Sequence, residues 1–323
     1  MIHAVLLNPT IDLIYKIERF HVGGTFKVNE KIVFPVGKAI SYSLAAKKLY
    51  PKIKINIHAL IGTNEIELYS KFLNKYKISF KLIPVEGETR SNKTINDPIN
   101  KTTTHIRELG FSVRDSDLNK LKNQLSENIK SGDLCVFSGS IPPNTNQNIY
   151  FELIKLAKKE SALTCLDSSG NPLIEGIKTN PTIIKPNLLE LNQILNIKKI
   201  SNIDFNETQK PYSIIVEKAK ILLNKGLKII AITLGNKGAI LLTEEYSLFG
   251  NVPIDKPILD TVGSGDSFLA GLTANYMKTK NIIESFSHAI AAGAANTLEI
   301  GPGILNYDDF TKLLEKVVIK KIN

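Results

Sequence analysis

The chain contains no tryptophan, and only two cysteines and five histidines occur in its 323 residues. Two cysteines cannot staple a small secreted scaffold. Cys135 and Cys165 lie inside the apolar runs Leu134-Cys135-Val136-Phe137 and Leu163-Thr164-Cys165-Leu166, as small hydrophobes of buried strands do, which predicts a reducing, cytoplasmic setting. No segment has the roughly eighteen uninterrupted apolar residues of a spanning helix, so no membrane partner is expected. Met1 to Leu7 is followed at once by Asn8-Pro9-Thr10 and lacks the basic start and longer apolar stretch of an export signal. The histidines at 3, 21, 58, 105 and 288 show no ligand spacing, which argues against a metal site built on them. Neither Gly23-Gly24-Thr25 nor Gly235-Asn236-Lys237-Gly238 supplies the Gly-x-x-x-x-Gly-Lys-Ser/Thr of a P-loop, and no Gly-x-Gly-x-x-Gly follows the first strand.

With 43% apolar and 22% charged residues, the chain has the composition of a globular protein with a large core. Its net charge of +10 favours anionic small molecules or nucleic acid. The lysines are spread along the chain rather than gathered into a stripe, however, so solvated faces explain most of the excess and no nucleic-acid partner is expected. There is no internal repeat and no low-complexity linker, so residues 1–323 are read as one unit. Short β-like runs that lead into helix-like stretches, such as Cys135 to Ser138 before Ile149 to Lys158, predict an α/β protein with a mostly parallel sheet. Residues near 13–34 and 87–111 break that alternation and are read as strands of a small lid outside the main sheet. Gly265 to Tyr276 and Phe286 to Asn296, rich in Ala and Gly, suit closely packed helices.

The most informative stretch is Asp260-Thr261-Val262-Gly263-Ser264-Gly265-Asp266-Ser267-Phe268-Leu269-Ala270-Gly271, a Gly-rich turn running into an apolar helix. Glycines let the backbone approach a ligand, and free N–H groups at the helix start, with its dipole, can hold a phosphate. A carboxylate beside that anion hole repels phosphate, but it can take a proton from a hydroxyl that attacks phosphorus. Asp266 has two readings at this stage, general base or helix cap.

Asp260 to Asp266 resembles the signature of the ribokinase or phosphofructokinase B family of sugar kinases. Asn8-Pro9-Thr10-Ile11-Asp12 resembles that family's N-terminal strand end with a sugar-binding Asp, and Ser138-Gly139-Ser140-Ile141-Pro142-Pro143 resembles a strand end of its phosphosugar branch. Lys185-Pro186-Asn187-Leu188-Leu189-Glu190 resembles the Asn-x-x-Glu element, and Thr233-Leu234-Gly235 with Gly238 resembles the nucleotide loop. The resemblance implies a ribokinase-like three-layer sandwich with a mostly parallel central sheet and a small β-strand lid. It implies Asp266 as base, Gly263, Ser264 and Gly265 as anion hole, and Asp12 and Ser138 on the sugar. ATP would lie against Lys185, Asn187, Glu190, Thr233, Gly235, Gly238 and Asn296, with Mg²⁺ held through water and phosphates near Asn187 and Glu190. Asn187 and Glu190 can equally be a helix start with an acidic first turn. A monovalent cation stays open as an aid. A homodimer through the lid strands is implied by the family and by the exposed edges such strands carry.

The branch is set by Gly87-Glu88-Thr89-Arg90-Ser91-Asn92-Lys93, which resembles the segment of 1-phosphofructokinases and tagatose-6-phosphate kinases whose Arg meets the phosphate already on the sugar. A guanidinium presents paired donors to phosphate oxygens. Gly37 and Lys38 match the branch's Gly-Gly-Lys-Gly-x-Asn element, but Val36 replaces its first Gly, Ala39 the Gly after the lysine, and Ser41 the Asn expected on sugar hydroxyls. In His105-Ile106-Arg107-Glu108-Leu109-Gly110, Arg107 replaces Asn and Leu109 replaces Pro. Arg107 either adds positive charge around a phosphosugar or lies outside the lid. The expected activity is ATP-dependent phosphorylation of a hydroxyl of a ketohexose phosphate, 1-phosphofructokinase-like. The alternatives are a free-sugar or nucleoside kinase of the same family, or a sensor that binds without turnover. A Ser267 hydrolase finds no Asp-x-x-His near the C-terminus to complete it.

Overall fold

The structure, a computed structural model, describes residues 1–28, 30–197 and 210–322. The chain begins with β1 (Ile2–Leu6), β2 (Thr10–Lys16), β3 (Glu30–Val36), α1 (Lys38–Leu49), β4 (Ile55–Gly62), α2 (Ile66–Lys75), β5 (Ser79–Val85), β6 (Ser91–Asp97) and β7 (Thr102–Arg107). Next come α3 (Asp115–Asn128), β8 (Leu134–Ser138), α4 (Ile149–Lys159), β9 (Leu163–Asp167), α5 (Gly170–Ile177), β10 (Ile183–Ile184) and α6 (Leu188–Leu195). The last third holds α7 (Lys210–Asn224), β11 (Ile229–Thr233), β12 (Ala239–Leu242), β13 (Ser247–Asn251), α8 (Ser264–Thr279), α9 (Ile282–Asn296), α10 (Tyr307–Glu315) and β14 (Val318–Lys321).

Ten strands make one sheet in the order β14-β13-β12-β11-β10-β9-β8-β1-β4-β5. From β11 to β5 every pairing is parallel, and β12, β13 and β14 close one end antiparallel. Every residue of β1, β4 and β8 is buried, as a parallel sheet covered on both faces requires. The pleat sorts them. Ala4, Leu6, Ile57 and Val136 join the core under α1, α8 and α9, whereas Val5, Leu60 and Phe137 join the core under α3, α4 and α7. These are the three layers expected. Helices α8 and α9 approach closely at Gly271, which has no Cβ; one built there would stand 2.5 Å from the His288 carbonyl oxygen.

Apart from that body, β3-β2-β6-β7 form a four-stranded sheet, in the two regions whose composition predicts a lid. The loop after β2 is tied to the lid's far side by Asp97, whose two oxygens accept the N–H groups of Arg19 and Phe20 at 3.0 and 2.8 Å. One expectation changes. Asp12 does not sit at the end of β1; the chain bends at Asn8-Pro9 and Asp12 stands inside lid strand β2.

Candidate active site

The chemistry-bearing residues gather where β1, β8, β9, β10 and β11 end and α8 begins. Ligands of open α/β sheets bind at the carboxyl ends of strands because loops and helix N-termini converge there. Gly263, at φ 82°, is the N-cap of α8, and a Cβ on it would stand 2.5 Å from Pro302 Cα, so only glycine makes this turn. The Ser264 N–H donates to the Thr261 carbonyl at 3.3 Å, so of the expected Gly263, Ser264 and Gly265 set only Gly265 keeps a first-turn N–H free, joined by that of Asp266, at the start of a sixteen-residue helix whose dipole favours an anion. The N-cap is Gly263, and Asp266 stands three positions further on, inside the first turn. Of its two readings, the capping one is not what the structure shows. Its carboxyl is buried, and that burial pushes it up to about 7, with Asp167 and Asp12 adding to the rise and Lys38 and Lys185 opposing it.

Asp167 at the end of β9 was not singled out by sequence, yet it organises the cationic side of the site. Its Oδ1 takes Lys38 Nζ at 3.1 Å and Lys185 Nζ at 3.3 Å, and the residue is 1% exposed. Burial alone would raise its carboxyl; the two lysines overcome that and hold it below the usual range. Lys38 is correspondingly raised: burial lowers it, but Asp167, Asp266 and Glu190 together outweigh the burial. Lys185 Nζ lies 3.4 Å from where a Cβ on Gly265 would be, so its ammonium overhangs the first turn of α8. Ser138 Oγ and Asp167 Oδ2 are sealed from solvent without a partner in the described protein. A single Asp closing the apolar run Leu163 to Leu166 at a strand end is the signal that could have found Asp167.

On the lid side, Asp12 Oδ1 accepts from Asn92 Nδ2 at 3.0 Å and from Thr10 Oγ1 at 3.1 Å. Arg90 is anchored by Nε to the Pro9 carbonyl at 3.1 Å and by Nη2 to that of Asn8 at 3.3 Å. Arg107 pairs with Asn92 in the lid register and its charge acts on both Asp12 and Arg90. It stands in the same row of the lid as Asp12 and is exposed. Gly37, at φ 141°, begins α1 and sets Lys38 at its first position; a Cβ there would meet Leu6 at 2.9 Å.

A cleft of about 700 Å³ on the other side of α8 is lined by Asn187, Thr233, Gly235 and Gly238, with Phe268 and Ile290 as an apolar wall. Gly238 must lack a Cβ, which would fall 2.2 Å from the Gly250 carbonyl oxygen. Asn187 and Glu190 form a reciprocal cap of α6: Glu190 N donates to Asn187 Oδ1 and Asn187 N to Glu190 Oε2, both at 2.9 Å. The cap uses one oxygen of Glu190 and leaves Oε1 for another task. Among the described residues no cluster of three His, Cys, Asp or Glu forms a metal cage. A magnesium ion retains water and phosphate oxygens, so one free carboxylate oxygen beside a phosphate site fits it.

Two residues expected on ligands have their side chains bonded inside the protein. Ser41 is buried, and its hydroxyl donates to the Gly37 carbonyl at 3.2 Å, back along its own helix rather than out to a sugar. Asn296 is fully buried and does not line the cleft: Ser267 Oγ donates to its Oδ1, while its Nδ2 donates to the carbonyls of Gly301 and Ile304. Its amide fastens the loop after α9 instead of meeting an adenine.

In fold, the chain is similar to phosphofructokinase-2 from Escherichia coli in complex with substrates and products, with a TM-score of 0.87 at 23% identity over 97% of this chain and 98% of that one. Ribokinase from Thermotoga maritima superimposes with a TM-score of 0.73 at 21% identity over 98% of this chain and 99% of that one. The architecture is that of the ribokinase-like kinases. The sequence profile described as pfkB family carbohydrate kinase matches residues 5–308, and the chain belongs to that family. Among its relatives are a 1-phosphofructokinase of Bacillus subtilis, 29% identical over 91% of this chain and 92% of that protein, and a tagatose-6-phosphate kinase of Staphylococcus epidermidis, 28% identical over the full length of both. The protein is a carbohydrate kinase.

Proposed function

We propose that this kinase transfers the terminal phosphoryl group of ATP to a hydroxyl of a ketohexose phosphate, as a 1-phosphofructokinase does. The observation that carries the reading is the placement of Asp266: a buried carboxyl in the first turn of α8, with Lys38 and Lys185 nearby and Asp12 facing it from the lid. A carboxylate flanked by cations at an anion-binding helix start serves a proton acceptor better than a phosphate ligand. Asp266 takes the proton of the attacking hydroxyl, the new bond forms from that oxygen to phosphorus, and the bond to the bridging oxygen breaks to release ADP. Lys38, Lys185 and the N–H groups of Gly265 and Asp266 hold the negative charge on the transferred group. Magnesium supplies further charge neutralisation when bound, with Glu190 and Asn187 as the residues beside it. Asp12 and Ser138 orient the sugar, and Arg90 and Arg107 hold the phosphate it already carries. The nucleotide lies in the cleft of Thr233, Gly235 and Gly238.

Relatives named 1-phosphofructokinase and tagatose-6-phosphate kinase support the substrate class. The two buried free cysteines support a reducing cytoplasm. The lid has unpaired edges at β3 and β7 and exposes Val33, Ile106 and Leu109, which favours a second copy packed against it.

The test is ADP release with Mg²⁺-ATP across fructose 1-phosphate, fructose 6-phosphate, tagatose 6-phosphate, free fructose, ribose and a nucleoside. Turnover on a phosphosugar well above its dephosphorylated counterpart is expected. Turnover confined to a free sugar or nucleoside would remove Arg90 and Arg107 from the substrate, and binding without turnover on the whole panel would favour a sensor.

A further inference from the structure

Four residues stand in one row across the lid. Phe34 of β3 opposes Asp12 of β2, Asp12 opposes Asn92 of β6, and Asn92 opposes Arg107 of β7. Residues in register across neighbouring strands project from the same face. Asp12 lines a groove of about 800 Å³ between the lid and the Asp260 to Val262 loop. Asn92 is the polar member of this row with no assigned task.

Its geometry is hard to explain as packing. Asn92 is 6% exposed, its Nδ2 donates to Asp12 Oδ1, and its own Oδ1 is sealed from solvent with no partner in the described protein. Turning the amide over would set its carbonyl oxygen against the Asp12 carboxyl oxygen and leave the amide N–H groups sealed without an acceptor, so contact with Asp12 fixes the orientation. Thr10 Oγ1 donates to the same Oδ1, and no described side chain donates to Asp12 Oδ2. Both protein donors hold one oxygen and leave the other for a ligand. The residue that matches the branch's sugar-binding amide, Ser41, has its hydroxyl committed to Gly37.

We propose that Asn92 is the positioning residue for Asp12, holding that carboxylate turned so that Oδ2 faces the sugar hydroxyls. This rests on the sugar-phosphate reading of the site. Asn92 acts through Asp12 and sets how strongly this chain holds its sugar without an amide at position 41.

Burial pushes the Asp12 carboxyl up, and the donations of Asn92 and Thr10, then the charges of Arg107 and Arg90, pull it back. Asp266 of α8 and the Tyr69 hydroxyl of α2 are also coupled to it, and Lys16, Glu30, Asp97, Lys101, His105 and Asp260 share its groove. Substitution at 92 leaves all of these in place. Removing a donor from a carboxylate disfavours its charged form, so the pH at which Asp12 ionises rises.

The experiment measures equilibrium binding of fructose 1-phosphate, fructose 6-phosphate and tagatose 6-phosphate against pH in an Asp266→Asn background, which removes the neighbouring carboxyl that would titrate in the same range. Asn92→Ala is expected to weaken the preferred sugar phosphate about ten- to hundredfold at neutral pH, to move the acid loss of binding to higher pH, and to leave ATP affinity unchanged. Asn92→Gln, which retains an amide donor, should recover part of both effects. Thr10→Val should move them in the same direction, and carries the test if Asn92→Ala does not fold. Unchanged affinity and an unchanged acid midpoint in Asn92→Ala would overturn the proposal, as would equal losses for sugar phosphate and ATP. Failure of the Asp266→Asn parent itself to bind any of the three sugar phosphates would instead strike the substrate reading.

Discussion

Asp266 shows how one residue is tuned by its neighbours. Burial raises its carboxyl to about 7, and Lys38 and Lys185 keep it from going higher. A base works only in its ionised form, so turnover at saturating substrates should rise with pH through about 7 and level off above it. A pH–kcat profile checks this, and a limb near the ordinary carboxylate value would contradict the environment described. Asp266 and its turn were legible because Gly263, Gly265 and the apolar helix after them leave few alternatives for the chain. Ser41 and Asn296 were not, because the direction of a short polar side chain depends on which carbonyl packing brings within reach. Asp167 was missed for a related reason: its role comes from two lysines, at 38 and 185, that sequence keeps far apart.

Among the elements, α8 carries the site and depends on α9 to hold it. The two helices approach at Gly271, where a Cβ would stand 2.5 Å from the His288 carbonyl oxygen and 3.0 Å from Ala289 Cα. Both are backbone atoms and cannot swing aside. Gly271→Ala gains up to about 1 kcal/mol of helix propensity but forces the helices apart, and overpacking of this kind costs about 1–3 kcal/mol. A lowered Tm in thermal melting is therefore expected, together with a reduced kcat as the α8 turn shifts; a raised Tm would show that the pair has slack. The Ala and Gly richness of both segments made close helices legible in the sequence. The lid strands were legible as strands, from their Thr and β-branched alternation, but not their sheet order. That order depends on β2 pairing parallel with β6, with partners eighty residues apart, and on the bend at Asn8-Pro9 that puts Asp12 in the lid.

At the scale of the molecule, the sheet separates chemistry from ballast. The site occupies the carboxyl ends of the strands; their amino ends close over a buried polar chain. His3 Nδ1 meets His58 Nε2 at 3.0 Å, His3 Nε2 meets Asp133 Oδ2 at 3.1 Å, and Gln124 Nε2 meets His58 Nδ1 at 2.9 Å. Burial lowers both histidines, His58 to about 3, with the charge of its neighbours His3 and Lys81 adding to the fall. Their folded values lie below the unfolded 6.5, so the unfolded chain binds more protons in acid. Stability from this network is complete above about 6.5 and is lost as pH falls below it, by at most about 1.4 kcal/mol per pH unit per histidine. Urea midpoints should fall from pH 6.5 towards 4, and the fall should be shallower in His58→Gln; an identical slope would mean the network does not titrate with folding. None of the three histidine contacts could be read from sequence, since they join β1, β4, α3 and the turn before β8, which are far apart along the chain.

If Asp266 takes the proton of the attacking hydroxyl, Asp266→Asn should lose turnover and keep its nucleotide, which kcat on the preferred phosphosugar and ATP affinity measured side by side will show. The expected fall in kcat is roughly 10²–10⁴-fold with ATP affinity unchanged. Turnover at the wild-type rate would contradict it.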